Sequence, residues 1–255
     1  MIIQKPEILH VDADIIIVSK PSGMLSIPDR FNNNFPNVRK FLLDNYEEVF
    51  TVHRLDRDTS GIILFARNAE SHRELSLQFE HHQVDKKYNA IVRGIMDKES
   101  MEIDIPLIPD SVKKGLMKPS ARGKESFTHV EVIERFRMAT FVECTPKTGR
   151  MHQIRVHLSA VGHPLLVDAD YGGISEFKLS TIKRKYKLSK NTEEKPILSR
   201  VPLHASSLTF KHPASNETVS FSCEMPKDML ATLQLLRKYA AYQDFSSLSS
   251  FDEWL

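Results

Sequence analysis

The feature that most constrains how this chain folds is an apolar run that follows directly on a cluster of charges. Residues 62–66 read Ile-Ile-Leu-Phe-Ala, and a short run of branched and aromatic residues is typical of a buried strand. Residues 53–61, immediately before it, read His-Arg-Leu-Asp-Arg-Asp-Thr-Ser-Gly. The last three favour a turn, because hydroxyls bond nearby backbone and Gly61 accepts a positive φ. The sequence predicts a loop that holds Asp56 in a fixed place at the mouth of a strand.

Charge alone leaves two interpretations of this loop open, since a solvated turn with surface ion pairs has a similar composition. The order of the residues favours a functional site. His-Arg-Leu-Asp-x-x-Thr-Ser-Gly, with seven fixed positions of nine, resembles the active-site motif of RNA pseudouridine synthases of the RluA type. The resemblance implies that Asp56 is the catalytic aspartate of such an enzyme.

A second motif is Lys-x-Tyr-x-Ala-x-Val-x-Gly over residues 86–94. Its alternation predicts a strand with Tyr88, Ala90 and Val92 on one face. A tyrosine on a strand is most often a half-buried packing residue. The motif also resembles the second motif of the same family, and this implies that Tyr88 lines the uridine pocket.

A third motif is Gly-Arg-x-His-Gln-Ile-Arg-x-His over residues 149–157. The apolar spacing predicts a helix that Thr148 caps and Gly162 ends. Arg155 lies on the flank of the apolar face, where an arginine commonly covers the core edge. The motif resembles a hallmark of the family, and the resemblance implies that Arg155 pairs with the catalytic aspartate.

Three further segments extend the resemblance, which covers roughly residues 10–225. They are Lys-Pro-x-Gly at 20–23, Asp-x-x-Tyr-Gly ending at Gly172, and Leu-His-Ala at 203–205. The resemblance implies that Leu203 walls the pocket opposite Tyr88. Many family members begin with a small RNA-binding domain of the S4 type; the catalytic pattern here starts within about ten residues of Met1, so we expect no such domain.

The resemblance implies an α+β fold of the pseudouridine synthase type. We expect a large mixed, mostly antiparallel sheet with flanking helices, and a central cleft where Asp56, Tyr88, Arg155 and Leu203 converge. Residues 1–241 are expected to form one catalytic domain, with a basic surface insertion at 174–200, and residues 242–255 a tail that docks through its apolar residues. Helices are predicted at 36–46, 68–82 and 179–186 and from Pro226, a strand at 101–108, and a basic loop at 110–126.

Composition excludes several classes of protein. Hydrophobic residues make up 41% and charged residues 27% of the 255, which is ordinary for a globular chain. No stretch is long enough for a membrane span or resembles a signal peptide, so we expect a cytoplasmic protein without a membrane partner. Two cysteines are too few for a disulfide framework or a cysteine zinc site.

The net charge of +2 does not by itself indicate a nucleic-acid binder, so RNA contacts must come from the distribution of charge. The insertion at 174–200 carries eight lysines and arginines. We expect Lys183, Arg184, Lys185 and Lys187 to contact backbone phosphates. The loop that contains Lys113 and Lys124 is the alternative.

Conversion of uridine to pseudouridine gains and loses no atoms, and no cofactor or metal is expected. Asp56 would act as nucleophile or base, and the sequence leaves open which. Arg155 would favour its ionised form. Tyr88 would stack on uracil, Arg54 would fill the gap left by the flipped base, and His53 would contact backbone or base.

Two other functions remain possible from the residues. One is a metal-dependent hydrolase that uses His53, Asp56, His152 and His157, although the last two do not share a helix face. The other is an RNA-binding module without catalysis. If the chain is a synthase, its partner is RNA, ribosomal or transfer, and no obligate protein partner is inferred.

Overall fold

The fold is built on one large twisted sheet, seen in a computed structural model that describes residues 4–29, 32, 35–187 and 192–243. The strands are β1 Glu7–Val11, β2 Ile15–Lys20, β3 Phe50–Thr51, β4 Ser60–Ala66, β5 Asp85–Arg93, β6 Ser100–Asp104, β7 Leu107–Pro109, β8 Met117–Pro119, β9 Phe127–Arg135, β10 Ala139–Pro146, β11 Leu203–Lys211 and β12 Thr218–Ser222. The helices are α1 Val38–Leu43, α2 Ala69–Glu80, α3 Gln153–Ala160 and α4 Lys227–Tyr239, with a 3₁₀ turn at Leu179–Thr181.

Ten of these strands form the main sheet, in the order β1-β2-β4-β11-β5-β10-β9-β6, with β12 beside β11 and β3 beside β4. β7 and β8 form a separate hairpin. Every strand pair in the described residues is antiparallel except β4 with β11. The sheet is therefore mixed and mostly antiparallel, with flanking helices, which confirms the predicted fold class.

The parallel contact between β4 and β11 depends on Gly61. Its φ is +117°, and a Cβ at this position would lie 2.2 Å from the carbonyl oxygen of Ala205. Only glycine allows so close a backbone approach in this conformation. This contact joins the two halves of the sheet at the strand that the Asp56 loop precedes.

The apolar run at 62–66 is buried on both faces of the sheet. Ile63 and Phe65 pack with α1 residues, whereas Ile62 and Leu64 pack with Leu75 of α2. A strand covered on both sides has no need of polar alternation, which explains why the run is continuously apolar. The strand is thus a rigid base for the loop that precedes it.

The helices follow the predicted pattern at α2 and at α4, which begins directly after Pro226, but not at α1 or α3. Asn68 caps α2, its side-chain oxygen accepting from the backbone N–H of Ser71 at 2.8 Å. α1 is shorter than predicted and begins after Asn37. α3 begins at Gln153, later than predicted, because the hydroxyl of Thr148 bonds the Gln153 side chain at 2.7 Å and the Phe127 amide instead of capping a helix.

The insertion at 174–200 is not simply a surface segment, so that expectation was wrong. Phe177, Ile182 and Leu198 are buried in a cluster with α4. Their irregular spacing among lysines concealed this core contribution, because no helical or strand period connects them. The predicted helix at 179–186 reduces to the 3₁₀ turn within the described part of the segment.

The structure also differs from the sequence-based expectations for residues 101–126. The predicted strand at 101–108 splits into β6 and β7, and the basic loop at 110–126 contains β8. Cys144 and Cys223 are free thiols. No helix in the described residues is long and apolar enough to span a bilayer. Residues 244–255 of the predicted tail lie outside the described residues.

Candidate active site

A cavity of about 540 Å³ opens at the middle of the sheet. The four residues expected to converge all line it: Asp56, Tyr88, Arg155 and Leu203. They come from the loop before β4, from β5, from α3 and from β11. The topology brings these positions together because β4, β11 and β5 are neighbours at the centre of the sheet.

Asp56 is half-buried and exposes its carboxylate to the cavity. The carboxylate makes no hydrogen bond or ion pair with any other residue that the structure describes, while its backbone carbonyl accepts from the Thr59 amide at 3.2 Å. The neighbouring Leu55 is fixed through its amide and carbonyl by the hydroxyl of Ser26. The loop is therefore held by its backbone and leaves the carboxylate oxygens free to accept from a ligand.

A buried lysine, not predicted from the sequence, holds the underside of this loop. Lys20 is 1% exposed, and its ammonium donates to the carbonyls of Pro21, Met24 and Arg57 at 3.1, 2.7 and 3.0 Å. Burial lowers the pKa of Lys20 to about 7, and the charges of Asp58 and Asp56 oppose that shift. Three carbonyl acceptors are satisfied together only by the three-donor ammonium form. The Lys-Pro-x-Gly motif at 20–23 was the sequence signal that could have indicated this role of Lys20.

The expected pairing of Arg155 with Asp56 is not what the structure shows. Arg155 makes a bidentate bond to Asp168, with both distances 2.7 Å, and a second bond to Asp170 at 3.0 Å. Asp168 comes from the Asp-x-x-Tyr-Gly segment and is 2% exposed. A buried carboxylate needs a fixed partner, so Asp168 takes the guanidinium.

The charge of Asp56 nevertheless contributes to the environment of Arg155. Burial opposes the guanidinium charge, but the bonds and attraction of Asp168, then Asp170 and Asp56, raise the pKa of Arg155 overall. The guanidinium therefore stays a permanent cation. It faces the cavity with its position already fixed by other residues.

Tyr88 lies on β5 between two hydrophobic clusters and lines the cavity. Burial, with a smaller effect from the Asp56 charge, raises the pKa of Tyr88 above its usual range. The phenol is therefore neutral across the physiological range. Leu203 is 3% exposed and packs in one of the same clusters, so an aromatic and an aliphatic side chain both contribute to the apolar wall.

His53 and Arg54 have different environments at the edge of the cavity: the His53 ring is packed, whereas the Arg54 side chain is exposed. The His53 ring stacks on Phe79 with 4.7 Å between ring centroids, and its Nε2 accepts from the Leu64 amide at 3.0 Å. Burial, then the charge of Lys86, lowers the pKa of His53 to about 3, so the ring is a neutral part of the wall. Arg54 is exposed and lines the cavity while Leu55 is buried, as an extended loop requires.

Sequence reasoning missed a group of linked polar residues beside α3. Nδ1 of His152 lies 2.8 Å from the hydroxyl of Tyr171, and that hydroxyl accepts from the amide of Met117 on β8 at 2.9 Å. The Arg155 guanidinium carbon lies 4.8 Å from the centre of the Tyr171 ring. His152 and Tyr171 both belong to motifs quoted above, so those motifs were the signal that could have found them.

Comparison with known proteins decides what kind of site this is. A family model described as RNA pseudouridylate synthase matches residues 14–160, which span β2 to the end of α3. The chain belongs to this family. The RNA pseudouridine synthases are isomerases, and this synthase converts uridine in RNA to pseudouridine.

Individual relatives agree over most of the chain. A protein of Zymomonas mobilis named ribosomal large subunit pseudouridine synthase D is 34% identical over 90% of this chain and 72% of its own. A Pasteurella multocida protein named dual-specificity RNA pseudouridine synthase RluA is 35% identical over 85% of this chain and 91% of its own. The solved structure of human RNA pseudouridylate synthase domain containing 1 superposes with a TM-score of 0.67 at 25% identity, covering 96% and 93% of the two chains.

Membership of this family overturns both other functions, the hydrolase and the binding module without catalysis. The geometry also argues against the histidine set proposed for the hydrolase. His157 is fully buried, where its ring nitrogens contact Thr128 and the Ile105 carbonyl at 2.9 and 3.0 Å. It is absent from the wall of the synthase cavity.

The four basic residues expected to bind phosphate lie away from the cavity wall of this synthase. Lys183 is half-buried, with its ammonium 5.4 Å from the ring centre of Tyr239. The other three, Arg184, Lys185 and Lys187, are exposed. Phosphate contact by this group therefore requires RNA that extends beyond the cavity.

Proposed function

We propose that Asp56 is the catalytic carboxylate of this synthase and that the target uridine occupies the central cavity. The observation that carries the proposal is the state of the carboxylate: it is half-buried, faces the cavity and has no bonding partner among the described side chains. Its charge is nevertheless felt by Lys20, Tyr88 and Arg155. An ionised and unoccupied oxygen is what a nucleophile or a base requires.

The apolar wall suits a uracil ring. Tyr88 offers an aromatic face, and Leu203 closes the same wall. We propose that the ring stacks on Tyr88 with its sugar toward Asp56, because a stacked base satisfies the apolar wall while the ribose carbon reaches the carboxylate. Arg155 is a positioning residue in this arrangement, since its guanidinium is already committed to Asp168.

The exposed edge of the cavity suits the rest of the RNA. Arg54 projects opposite to a buried leucine, so its guanidinium is free to enter the space that a flipped base leaves behind. His53 offers only the part of its ring that is not covered by Phe79. We propose that both contact the RNA beside the target nucleotide.

We propose ribosomal or transfer RNA as the substrate class; the name of the Zymomonas mobilis relative specifies the large ribosomal subunit, and that of the Pasteurella multocida relative specifies RNA and a dual specificity. The catalytic unit would be residues 1–241, acting in the cytoplasm without a protein partner. Outside the cavity, Lys183, Arg184, Lys185 and Lys187 are proposed to hold backbone phosphates. Such contacts need positive charge and little geometry.

The test replaces one of two neighbouring aspartates. Asp56→Asn is expected to lower turnover by about 10²–10⁴-fold, the usual contribution of a positioned base, or by more if Asp56 is the nucleophile. Asp58→Asn is the matched control, since it removes the same charge from an exposed position on the same loop. Turnover is measured as tritium released from transcripts of bacterial large-subunit ribosomal RNA and transfer RNA labelled at uridine C5.

Both variants are expected to melt within a few degrees of the wild type, since neither side chain makes a bond that the described fold depends on. RNA binding by Asp56→Asn is expected to persist. Residual turnover within about tenfold of the wild type would remove Asp56 from the catalytic role.

A further inference from the structure

The backbone at His152 is in an unusual conformation. Its φ is 55°, in the left-handed region that costs a non-glycine residue roughly 1–2 kcal/mol. The residue directly precedes α3 and lines the same cavity as Asp56. Strain of this kind is retained where surrounding structure fixes a side chain that has a task.

Hydrogen bonding favours one of the two tautomers of His152. The Tyr171 hydroxyl already accepts from the Met117 amide at 2.9 Å, and His152 Nδ1 lies 2.8 Å from it. The network is best satisfied when the hydroxyl donates its one proton to Nδ1. Burial, and less strongly the charge of Arg155, lowers the pKa of His152, while the charges of Asp56, Asp168 and Asp170 oppose that shift. In the neutral ring that this direction favours, the proton is on Nε2.

The Nε2–H donor has no bonding partner among the described residues, although the ring stands on the wall of the cavity. A half-buried donor in such a place is suited to an acceptor on a ligand. Uracil is a neutral ring with two carbonyl oxygens, and a neutral donor suits such an acceptor. Phosphates are better served by exposed cations at the rim, such as Arg54.

The reaction gives this donor something to stabilise. When the N1–C1′ bond breaks, uracil keeps the electron pair and negative charge spreads to its carbonyl oxygens. C5 then bonds to C1′ and loses its proton to water, while N1 gains a proton from water, so that atoms and charge balance. A fixed neutral donor aimed at a carbonyl oxygen stabilises this developing charge without transferring a proton.

We propose that the Nε2–H of His152 donates a hydrogen bond to a uracil carbonyl oxygen of the target uridine and stabilises the charge that the ring acquires. The inference rests on the proposed placement of the uridine against Asp56 and Tyr88. Tyr171 is a positioning residue in it, because its hydroxyl sets the tautomer and the orientation of the imidazole.

Two substitutions at His152 test the contact. His152→Leu removes the donor and is expected to lower kcat roughly 10²-fold, the usual effect of losing one such donor, with KM within about twofold because the rest of the RNA is still held. His152→Gln restores an N–H donor and an acceptor for Tyr171, and is expected to recover most of kcat. The assay is tritium release from the C5-labelled transcripts named above.

Tyr171→Phe tests the positioning role separately. It keeps the ring beneath Arg155 but removes the hydroxyl, and is expected to lower kcat about tenfold through the loss of one orienting hydrogen bond. Paired with His152→Leu, it should add little, because both changes disable the same donor. Additive losses would overturn the proposed link between the two residues.

The pH profile distinguishes a neutral donor from a charged one. The ratio of wild-type to His152→Leu kcat should stay constant from about pH 6.5 to about pH 9, since a neutral donor does not titrate there. A ratio that grows as pH falls would overturn the proposal in favour of an imidazolium acid. A rise in KM with kcat unchanged would overturn it in favour of simple RNA binding.

Two control variants, His82→Leu and Asp56→Asn, distinguish a loss of stability and a failure of the proposed function from a failure of the His152 contact. His82 has the same backbone conformation, with φ 56°, so the loss in Tm of His82→Leu measures what leucine costs in that conformation. If Asp56→Asn is inactive and His152→Leu is fully active, the His152 contact is wrong and the proposed function stands. If Asp56→Asn is active and His152→Leu is slow, Asp56 is not the catalytic carboxylate, and the uridine placement on which the His152 contact rests is lost with it.

Discussion

Two aspartates attract the charge of Arg155 and have opposite environments. Asp168 is 2% exposed, accepts two bonds from the guanidinium at 2.7 Å, and its backbone carbonyl accepts from Gly173 and Tyr171. Asp56 is half-buried and its carboxylate has no bonding partner in the described part of the chain. One carboxylate is fully used by the fold, and the other is left available.

The difference shows how a reactive carboxylate is kept free of bonding partners beside a fixed cation. Were Arg155 bonded directly to Asp56, substrate would have to displace it, and that displacement would cost several kcal/mol at a buried pair. By giving the guanidinium to Asp168, the fold fixes a cation near Asp56 without occupying its oxygens. The Arg155–Asp168 ion pair stabilises the fold, and the guanidinium remains close enough to attract the Asp56 charge.

The strongest test of this difference between the two aspartates is to neutralise Asp168, whose carboxylate is bonded within the fold. Asp168→Asn leaves Arg155 as a buried cation without its main partner and is expected to reduce the free energy of unfolding by about 3 kcal/mol. Asp170→Asn removes the guanidinium's other, 54% exposed partner and should cost less than about 1 kcal/mol. Urea unfolding of the two variants measures both values; equal losses would mean that burial does not distinguish them.

Two groups of basic residues outside the cavity can be compared in the same way. Changing Lys183, Arg184, Lys185 and Lys187 together to Gln is expected to weaken RNA binding about 10²-fold at low salt and to flatten the slope of log affinity against log salt by about 3. Turnover of bound substrate should be largely intact. The matched control replaces Lys113, Lys114, Lys118 and Lys124. If only the control set flattens the slope, the RNA path follows the β7–β8 hairpin.

The smallest effect concerns the charge that Arg155 exerts on Asp56. Arg155→Met is expected to lower turnover about tenfold, because it removes the cation that attracts the Asp56 charge. It also leaves the buried Asp168 without its main partner, so the decisive variant is Arg155→Met combined with Asp168→Asn, in which no unpaired charge is buried. Turnover of this double variant equal to that of the wild type would make Arg155 purely structural.

Local patterns predicted the parts of this molecule that depend on neighbours in sequence. The loop at 53–61 before a buried strand, the helix within 68–82 and the strand of the second motif are all present, because turn chemistry, helical periodicity and alternation act over a few residues. The residues expected in the cavity also converge there, although only the resemblance to a family placed them together.

What the sequence could not predict depends on which distant groups compete for the same partner. Asp168 and Asp56 are both available to Arg155, and only burial in the folded molecule determines which one receives its hydrogen bonds. The start of α3 was missed for the same reason, since the Thr148 hydroxyl is taken by Gln153 and the Phe127 amide. The core role of the insertion was concealed because Phe177, Ile182 and Leu198 follow no period.

The parallel pairing of β4 with β11 has a consequence for the timing of synthesis. The hydroxyl of Ser60 contacts His204, 144 positions later in the chain, at 3.1 Å. At a translation rate of roughly 5–20 residues per second, the Asp56 loop leaves the ribosome about 7–29 s before the strand that completes its cavity. A nascent chain therefore carries its reactive carboxylate on an unfinished sheet and gains activity only when most of its length has been made.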